Sequence, residues 1–330
     1  MHTITDETLL VTGGVDTHRD VNVAAVVDYA GRVLATDEFP TTLQGHKRFL
    51  TWLRSFGEIN KVGIEGTGTY GSGLARFLSE AEVGLVEVDR PNRRMRRHRG
   101  KTDYVDAEAA ARAALNGEAK STPKSRNGAV EMVRALRVAR RSALSDRTRA
   151  ANQLHALVVA APSELRETLR DETLAVLVDR AASFRPGELS SPTAAYKFSM
   201  REIAQRYKRL SEEIVRLDTE IKKLVAMTAP KLLALKGVGS EVATHLLVAA
   251  GDNVERFKNE ASFARLCAAA PIEASSGLTQ RHRLDRGGDR LANYALWRIV
   301  LVRCPAMNKP GITSHGELKK EHLSERSFGA

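Results

Sequence analysis

The sequence has few cysteines and no long apolar run, and each scarcity excludes a class of protein. Its two cysteines, Cys267 and Cys304, are too few for a disulfide framework, and neither has the CxxC partner typical of a zinc site. No apolar stretch approaches the roughly 18 residues that a membrane-spanning helix needs, and the polar N-terminus does not resemble a signal peptide. We therefore expect a cytoplasmic protein of a reducing compartment, without a membrane partner.

The sequence is instead rich in basic side chains. It has 51 Lys and Arg against 40 Asp and Glu, which gives a net charge of +11 and favours a polyanionic partner. The densest run spans residues 90–101, and such closely spaced like charges repel unless phosphates neutralise them. A solvated loop is the alternative, and we favour a nucleic-acid contact. The candidate phosphate ligands are Arg93, Arg94, Arg96, Arg97, Arg99 and Lys101.

Hydrophobic periodicity predicts a mixed α/β domain over residues 10–118. Three strands come first, the last two joined as a hairpin, and helices then alternate with strands. The predicted strands are 11–16, 21–28, 32–39, 61–65 and 84–88, and the predicted helices are 42–56, 71–81 and 103–115.

The rest of the chain is expected to be helical. Residues 119–228 predict a helical linker, in which apolar residues recur in steps of three and four from Tyr196 to Leu224. Such heptads are typical of a coiled coil, and we favour pairing between protomers over a single helix packed on its own domain. Residues 229–304 predict a small all-α domain, and residues 305–330 a loose polar tail.

A Gly-x-Gly turn lies between two apolar helical stretches of that small domain. The turn Lys236-Gly237-Val-Gly239 resembles a helix-hairpin-helix, which holds the DNA backbone through converging N–H groups and the positive end of a helix. The alternative is that it only joins two packed helices.

Four carboxylates of the α/β domain are candidate metal ligands. Asp16 and Glu65 end two predicted strands, while Asp103 and Asp106 lie three residues apart on one helix face. An acidic side chain that ends an apolar strand is costly unless it is hydrogen-bonded, paired or bound to a cation. Oxygen ligands suit Mg²⁺ or Mn²⁺, and two such ions assist phosphodiester cleavage. Ordinary turn and capping roles are the alternative for each residue taken alone.

The sequence resembles the DEDD transposases of insertion-sequence family 110, a group that includes the Piv/MooV-type invertases. The resemblance covers about residues 13–304, and the turn at Lys236-Gly departs from it because the family usually has Pro-Gly there. The N-terminal motifs are Asp16-Thr-His18, Glu65-Gly-Thr-Gly-Thr-Tyr70 and Lys101-Thr-Asp-Tyr-Val-Asp-Ala107. The C-terminal motifs are residues 155–162, residues 236–239, Ala274-Ser-Ser-Gly277 and residues 282–290.

This resemblance implies a RuvC-like ribonuclease-H fold whose DEDD site is Asp16, Glu65, Asp103 and Asp106. It also implies a catalytic serine in a C-terminal transposase domain, Ser276 with Ser275 as rival, and a phosphoserine intermediate in DNA strand exchange. The arginines that would neutralise the phosphate are Arg281, Arg283, Arg286 and Arg290. The implied partners are donor and target DNA, a non-coding bridge RNA that guides the enzyme, and further copies of the chain, as a dimer through the coiled coil and a tetramer in the synaptic complex. The implied location is the bacterial nucleoid.

Two other functions remain open on sequence grounds. A hydrolytic RuvC-like nuclease, such as a junction resolvase, would use water and need no serine. A non-catalytic nucleic-acid-binding protein would use only the coiled coil and the hairpin. Because a long helical segment separates Ser276 from the carboxylates in sequence, we also expect the serine to act beside the carboxylates of a partner protomer.

Overall fold

The computed structural model describes residues 9–88, 102–285 and 287–304. The chain divides into two units, each made of two stretches. The first unit contains residues 1–128 and 249–288, and the second contains residues 129–248 and 289–330. The basic run at 90–101, Arg286 and the tail at 305–330 lie outside the described residues.

A five-stranded mixed sheet in the order β3-β2-β1-β4-β5 is the centre of the first unit. Strands β1 to β3 are antiparallel, and β4 and β5 run parallel to β1. The strands are β1 (Leu10–Thr17), β2 (Val21–Val27), β3 (Val33–Pro40), β4 (Glu58–Glu65) and β5 (Leu85–Val88). The predicted mixed α/β N-terminal domain is therefore confirmed, and it is consistent with a RuvC-like fold.

The hydrophobic core of this unit lies on one face of the sheet, under helices α1 (Leu43–Arg54) and α2 (Ser72–Glu80). Val15 and Ile64, which are opposite each other on β1 and β4, pack there with Phe49 and Leu53 of α1. Helix α1 begins as the sequence predicts, because the hydroxyl of Thr42 accepts a hydrogen bond from Gly45 N at 3.1 Å.

Helix α3 (Asp103–Leu115) packs very closely on the opposite face of the sheet. Gly14 of β1 and Gly63 of β4 are paired across the two strands. A Cβ added to Gly14 would lie 2.1 Å from the backbone nitrogen of Ala111, and one added to Gly63 would lie 2.6 Å from the carbonyl oxygen of Ala110. The two glycines thus let the alanine face of α3 rest on the sheet backbone.

The second unit is helical. Its helices are α4 (Ala129–Ala160), α5 (Ser163–Leu169), α6 (Leu174–Ala182), α7 (Pro192–Thr228), α8 (Pro230–Leu233) and α9 (Ser240–Ala250). After residues 249–288, which belong to the first unit, helix α11 (Arg290–Arg303) completes the second unit. None of the helices in the described part of the chain is long and apolar enough to span a membrane.

The predicted heptads lie on α7, and one of their two apolar positions is buried within the chain. Met200, Ile214 and Ile221 are buried, and Met200 packs in one cluster with Leu154 of α4. The pair is antiparallel, because Arg140 contacts Asp218 at 2.5 Å while the later residue Gln153 contacts the earlier Arg206 at 2.6 Å. The other heptad position, Leu210, Leu217 and Leu224, is half-buried.

Residues 249–288 return to the first unit and bring the serine segment with them. They form a 3-10 turn (Val254–Arg256), helix α10 (Glu260–Leu266) and a hairpin of β6 (Ile272–Glu273) and β7 (His282–Arg283). The Asn253 amide donates to Pro123 O and its oxygen accepts from Ser125 N, both at 3.0 Å. The long helical segment therefore does not separate the serine from the carboxylate domain in the way that the sequence suggested.

We predict that Gly14→Ala destabilises the first unit. The new Cβ meets backbone atoms of α3 that have no rotamer to move into, so the free energy of unfolding should fall by about 3 kcal/mol. The measurement is urea unfolding followed by Trp52 fluorescence in a Trp297→Phe background, which leaves one tryptophan in the first unit.

Gly73→Ala in α2 is the matched control. Its Cβ would meet only His46 Cε1, at an ordinary 3.5 Å, and alanine favours a helix over glycine by about 1 kcal/mol. Equal effects of the two substitutions would show that the contact with α3 does not limit the fold.

Candidate functional site

Two of the predicted carboxylates lie side by side at the carboxyl ends of parallel strands. Asp16 follows Val15 on β1, and Glu65 follows the paired Ile64 at the end of β4. Each is two residues beyond one of the paired glycines, so strand alternation directs both toward the α3 face. The hydroxyl of Thr17 donates to the Glu65 carbonyl at 2.8 Å and joins the two strand ends.

The other two carboxylates lie on the first turn of α3, which the glycine contact brings to the same edge of the sheet. Thr102 caps the helix by accepting from Val105 N at 3.4 Å. Asp106 is buried and Asp103 is half-exposed. Because Ala107 and Ala111 lie against Gly14, the turn that precedes them lies beside the end of β1.

The structure brings Asp16 and Asp103 together around His18, which belongs to the Asp-Thr-His motif but was not predicted to be a metal ligand. The imidazole of His18 has its Nδ1 3.9 Å from Asp16 Oδ2 and its Nε2 3.7 Å from Asp103 Oδ1. One ligand atom from each of the three residues lies within 4.8 Å of the others. Only the position of His18, two residues after Asp16 in the Asp-Thr-His motif, could have suggested it.

This donor set fits a divalent cation. Two carboxylates supply the oxygen ligands that Mg²⁺ and Mn²⁺ prefer, and His18 adds an imidazole nitrogen, a donor more usual for transition-metal ions. Asp106 lies on the same helix turn as Asp103, and Glu65 ends the strand β4 that is paired with β1.

Tyr104 fixes the first turn of α3 to the neighbouring strand. Its hydroxyl donates to Glu38 Oε1 at 2.6 Å. That hydrogen bond, together with desolvation and the negative charges of Glu38, Asp37 and Asp103, raises the pKa of Tyr104 above its ordinary value. The phenol is protonated at neutral pH, and its hydrogen bond connects the helix turn that carries Asp103 to β3.

The candidate nucleophiles lie at the tip of the β6–β7 hairpin. Ser276 and Thr279 exchange two backbone hydrogen bonds of 3.1 Å around the two-residue turn Gly277-Leu278. Gly277 has φ +56°, which suits the first position of a type II′ turn. Both serines are exposed, but the Ser275 hydroxyl accepts a hydrogen bond from Arg281 N at 3.3 Å.

The hairpin register puts Ser276 on one face with two of the predicted arginines. Ile272 is opposite Arg283, Ala274 N donates to Arg281 O at 2.7 Å, and Ser276 is opposite Thr279. Residues opposite each other share a face, and so do residues two apart. Ser276, Arg281 and Arg283 therefore point to the same side, and Ser275 points to the other.

The Gly-x-Gly turn belongs to the second unit and joins the single-turn helix α8 to α9. Gly237 has φ +87°, a backbone conformation that favours glycine. A Cβ there would lie 3.3 Å from Val302 Cβ, so the missing side chain also lets α11 pack closely against the turn. Arg303 of α11 donates to Lys236 O at 2.9 Å. Gly239 faces open space, and a Cβ there would meet no atom within 4 Å.

An ionic network around the buried His245 fixes α9 directly after this turn. Glu241 contacts His245 at 3.2 Å and Arg140 at 3.5 Å, and the hydrogen bond from His245 lowers the pKa of Glu241. The other ring nitrogen of His245 faces the Arg137 guanidinium, which has no acceptor atom. The network therefore requires His245 to accept from Arg137 and to donate to Glu241. Arg290, the remaining predicted phosphate contact described here, begins α11 in this unit and is exposed.

Comparisons with known proteins match both halves of the chain to transposase families. Residues 13–161 match the family model of the IS110 DEDD transposases. Residues 229–315 match that of the transposases of the IS116/IS110/IS902 family. No curated protein matches the sequence.

We predict that Mg²⁺ or Mn²⁺ stabilises the protein through Asp16 and Asp103. At a hundredfold excess over its dissociation constant, a bound ion adds about 2.7 kcal/mol to the free energy of unfolding. Asp16→Asn and Asp103→Asn should remove this gain, and titration calorimetry should show the loss of binding directly.

Glu80→Gln is the control, because it removes one exposed carboxylate of α2. His18→Ala should weaken Mn²⁺ binding more than Mg²⁺ binding. Metal stabilisation that survives Asp16→Asn would contradict the assignment of this site.

Proposed function

The chain belongs to the IS110 family of DEDD transposases, and we propose that it is the recombinase of an insertion sequence, cutting and rejoining DNA with a serine nucleophile beside a divalent-metal site. The observation that carries this proposal is the cluster of Asp16, His18 and Asp103 at the end of β1. In a chain that matches both transposase family models, such a cluster is best explained by metal-assisted phosphodiester chemistry.

The divalent ion, Mg²⁺ or Mn²⁺, would be held by the carboxylates of Asp16, Glu65, Asp103 and Asp106, with His18 as an additional donor. A bound divalent ion supplies Lewis-acid stabilisation of the charge that develops on the phosphate oxygens. The contribution of the chain is to pre-arrange the ligands, because strand ends and a helix turn fixed by backbone contacts need little reorganisation.

Ser276 is the proposed nucleophile, and the hairpin supports it over Ser275. Its Oγ would form a bond to the scissile phosphorus while the bond from phosphorus to the leaving DNA oxygen breaks. The proton of the serine hydroxyl would pass to that oxygen, which leaves as a DNA hydroxyl. The phosphoserine link would conserve the bond energy until a new DNA end reverses the step. Arg281 and Arg283 share the face of Ser276 and would bind the phosphate oxygens, whereas the Ser275 hydroxyl is already hydrogen-bonded to backbone.

Nucleic acid would also be held outside the catalytic groups. The basic run at 90–101 and the turn at Lys236, Gly237 and Gly239 are proposed to contact the phosphate backbone without reading bases. We propose a non-coding bridge RNA as guide, on the family resemblance and the basic composition alone. Action on the nucleoid follows from the DNA substrates.

A hydrolytic RuvC-like nuclease is the second candidate. It needs the carboxylate cluster but not the serine hairpin, so the two functions differ in one observable, a covalent link between protein and DNA.

We predict that Ser276→Ala abolishes the covalent protein–DNA product, with a loss of several orders of magnitude, while Ser275→Ala keeps it. The measurement is incubation of the purified protein with its element DNA, Mg²⁺ and co-purifying RNA, followed by denaturing electrophoresis for protein attached to a DNA end. Asp16→Ala or Glu65→Ala should abolish the same product in a folded protein. Cleavage by Ser276→Ala with free DNA ends would favour the hydrolytic nuclease.

The same variants decide whether the serine and the carboxylates act from one chain or two. Mixing Ser276→Ala with Asp16→Ala protein restores the covalent product only if one protomer's serine serves its partner's carboxylates. Residues 249–288 and 1–128 share a unit, so a site within one chain is the competing arrangement.

We predict that the half-buried heptad positions of α7 mediate self-association. Leu210→Glu with Leu217→Glu would put unpaired charge into an apolar seam between protomers, and light scattering should show a lower mass in a folded protein. Val215→Glu with Met227→Glu changes α7 at exposed positions by the same charge and is the control. An unchanged mass in the first variant would restrict the seam to the pairing with α4.

A further inference from the structure

A groove of about 1180 Å³ lies within the first unit. One wall comes from the end of β5 and the C-terminal half of α3, and includes Val88, Arg112 and Asn116. The other comes from the returning segment and includes Phe257 and Arg265. The volume exceeds the range of about 300–1,000 Å³ usual for small-molecule sites, which favours an extended ligand.

Five basic and three acidic side chains line this groove, and the basic ones fall into two groups. Arg112 and Arg256 serve the fold, because Arg112 donates to Glu108 at 3.1 Å and Arg256 donates to Ala250 O at 3.0 Å. Lys120, Lys258 and Arg265 are exposed, and within the described part of the chain they form no ion pair.

Two of the acidic side chains are directed to neighbouring loop groups. Glu87 accepts a hydrogen bond from the Thr67 hydroxyl, and Asp285 accepts one from Gly287 N at 2.8 Å. The third, Glu118, is exposed and forms no ion pair with the lining cations within the described residues, so the groove presents three exposed cations that its carboxylates do not neutralise through ion pairs. A ligand with regularly spaced negative charges complements them.

The groove connects the two parts of the proposed catalytic machinery. Val88 on its first wall is opposite Glu65 in the β4–β5 register. Its second wall includes Asp285, Gly287 and Gly288, which follow the hairpin that carries Ser276 in the sequence. A Cβ on Gly288 would lie 2.4 Å from Ala268 N, so glycine is needed to keep this stretch packed on the end of α10.

We propose that the groove binds the sugar-phosphate backbone of a single nucleic-acid strand, with Lys120, Lys258 and Arg265 as its phosphate contacts. The choice of a nucleic acid rests on the proposed function. The groove volume accommodates a short length of one strand, whereas a duplex spreads its phosphates over two strands around a cylinder. DNA and RNA share this backbone, and either one is an acceptable ligand.

The test compares two triple variants of the full chain. The groove variant is Lys120→Gln, Lys258→Gln and Arg265→Gln. The control is Lys47→Gln, Arg54→Gln and Arg76→Gln, which removes the same charge from exposed positions of α1 and α2 on the opposite face of the sheet. Binding of labelled single-stranded DNA, single-stranded RNA of the same sequence, and duplex DNA is measured by anisotropy over a range of salt.

The groove variant should lose affinity for at least one single strand on the order of tenfold. Its log–log salt dependence should flatten by about 2, from roughly 0.7 per lost phosphate contact, and the control should keep its slope. Equal losses in both variants, or a loss confined to duplex DNA, would overturn the proposal. A loss with RNA alone would identify an RNA strand as the occupant, and an equal loss with DNA would identify the shared backbone.

This readout is independent of the chemistry. If Ser276→Ala or Asp16→Ala leaves strand cleavage intact, the proposed function fails while the binding result still stands. If the groove variant binds both single strands like wild type, the groove proposal fails while the catalytic assignment is unaffected.

Discussion

The contact between α3 and the paired glycines Gly14 and Gly63 is the constraint on which the rest of the first unit depends. At both positions a single methyl group would collide with backbone of the helix, so the distance between helix and sheet is set by the absence of side chains. That distance also decides where the first turn of α3 lies. Without it, Asp103 and Asp106 would be further from the strand ends, and four carboxylates from three elements would not share one edge of the sheet.

Much of this arrangement was predictable, because it depends on local signals. Strand periodicity, the start of α1 and the acidic residues at the ends of β1 and β4 can all be predicted from short stretches of sequence. His18 was not predictable as a ligand, because its partner Asp103 is far away in sequence and the two meet only through the packing of α3. The sequence likewise could not decide between Ser276 and Ser275, because the two serines differ in the face of the hairpin to which they point. That face depends on the hairpin register, which the Gly277-Leu278 turn determines.

Two features of the helical half show why sequence patterns leave partners undetermined. A heptad repeat specifies an apolar seam, but it has the same period whether the partner is α4 of the same chain or a second copy. In the structure Met200, Ile214 and Ile221 are buried within the chain, whereas Leu210, Leu217 and Leu224 are half-buried. The return of residues 249–288 depends on single polar contacts, such as those of Asn253, for which the sequence has no periodic signal.

Residues 249–288, the returning segment, position the exposed hydroxyl of Ser276 although no helix or central strand carries it. Glycines lie at both ends of its base. Gly251 has φ +86° beside the Lys124 side chain, and Gly288 is in close contact with the backbone of Ala268. Between these anchors the hairpin is short and its turn has two residues, so few backbone torsions separate Ser276 from the anchored base. The candidate nucleophile, its arginines, the carboxylate cluster and the groove consequently belong to one unit, and the second unit is left to supply the long helices and the Gly-x-Gly turn. A chain that divides these tasks keeps its reacting groups on a compact sheet and hairpin, where positions are set by backbone contacts. In the proposed function the helices of the second unit mediate association, and backbone binding is shared between the Gly-x-Gly turn of that unit and the groove of the first unit.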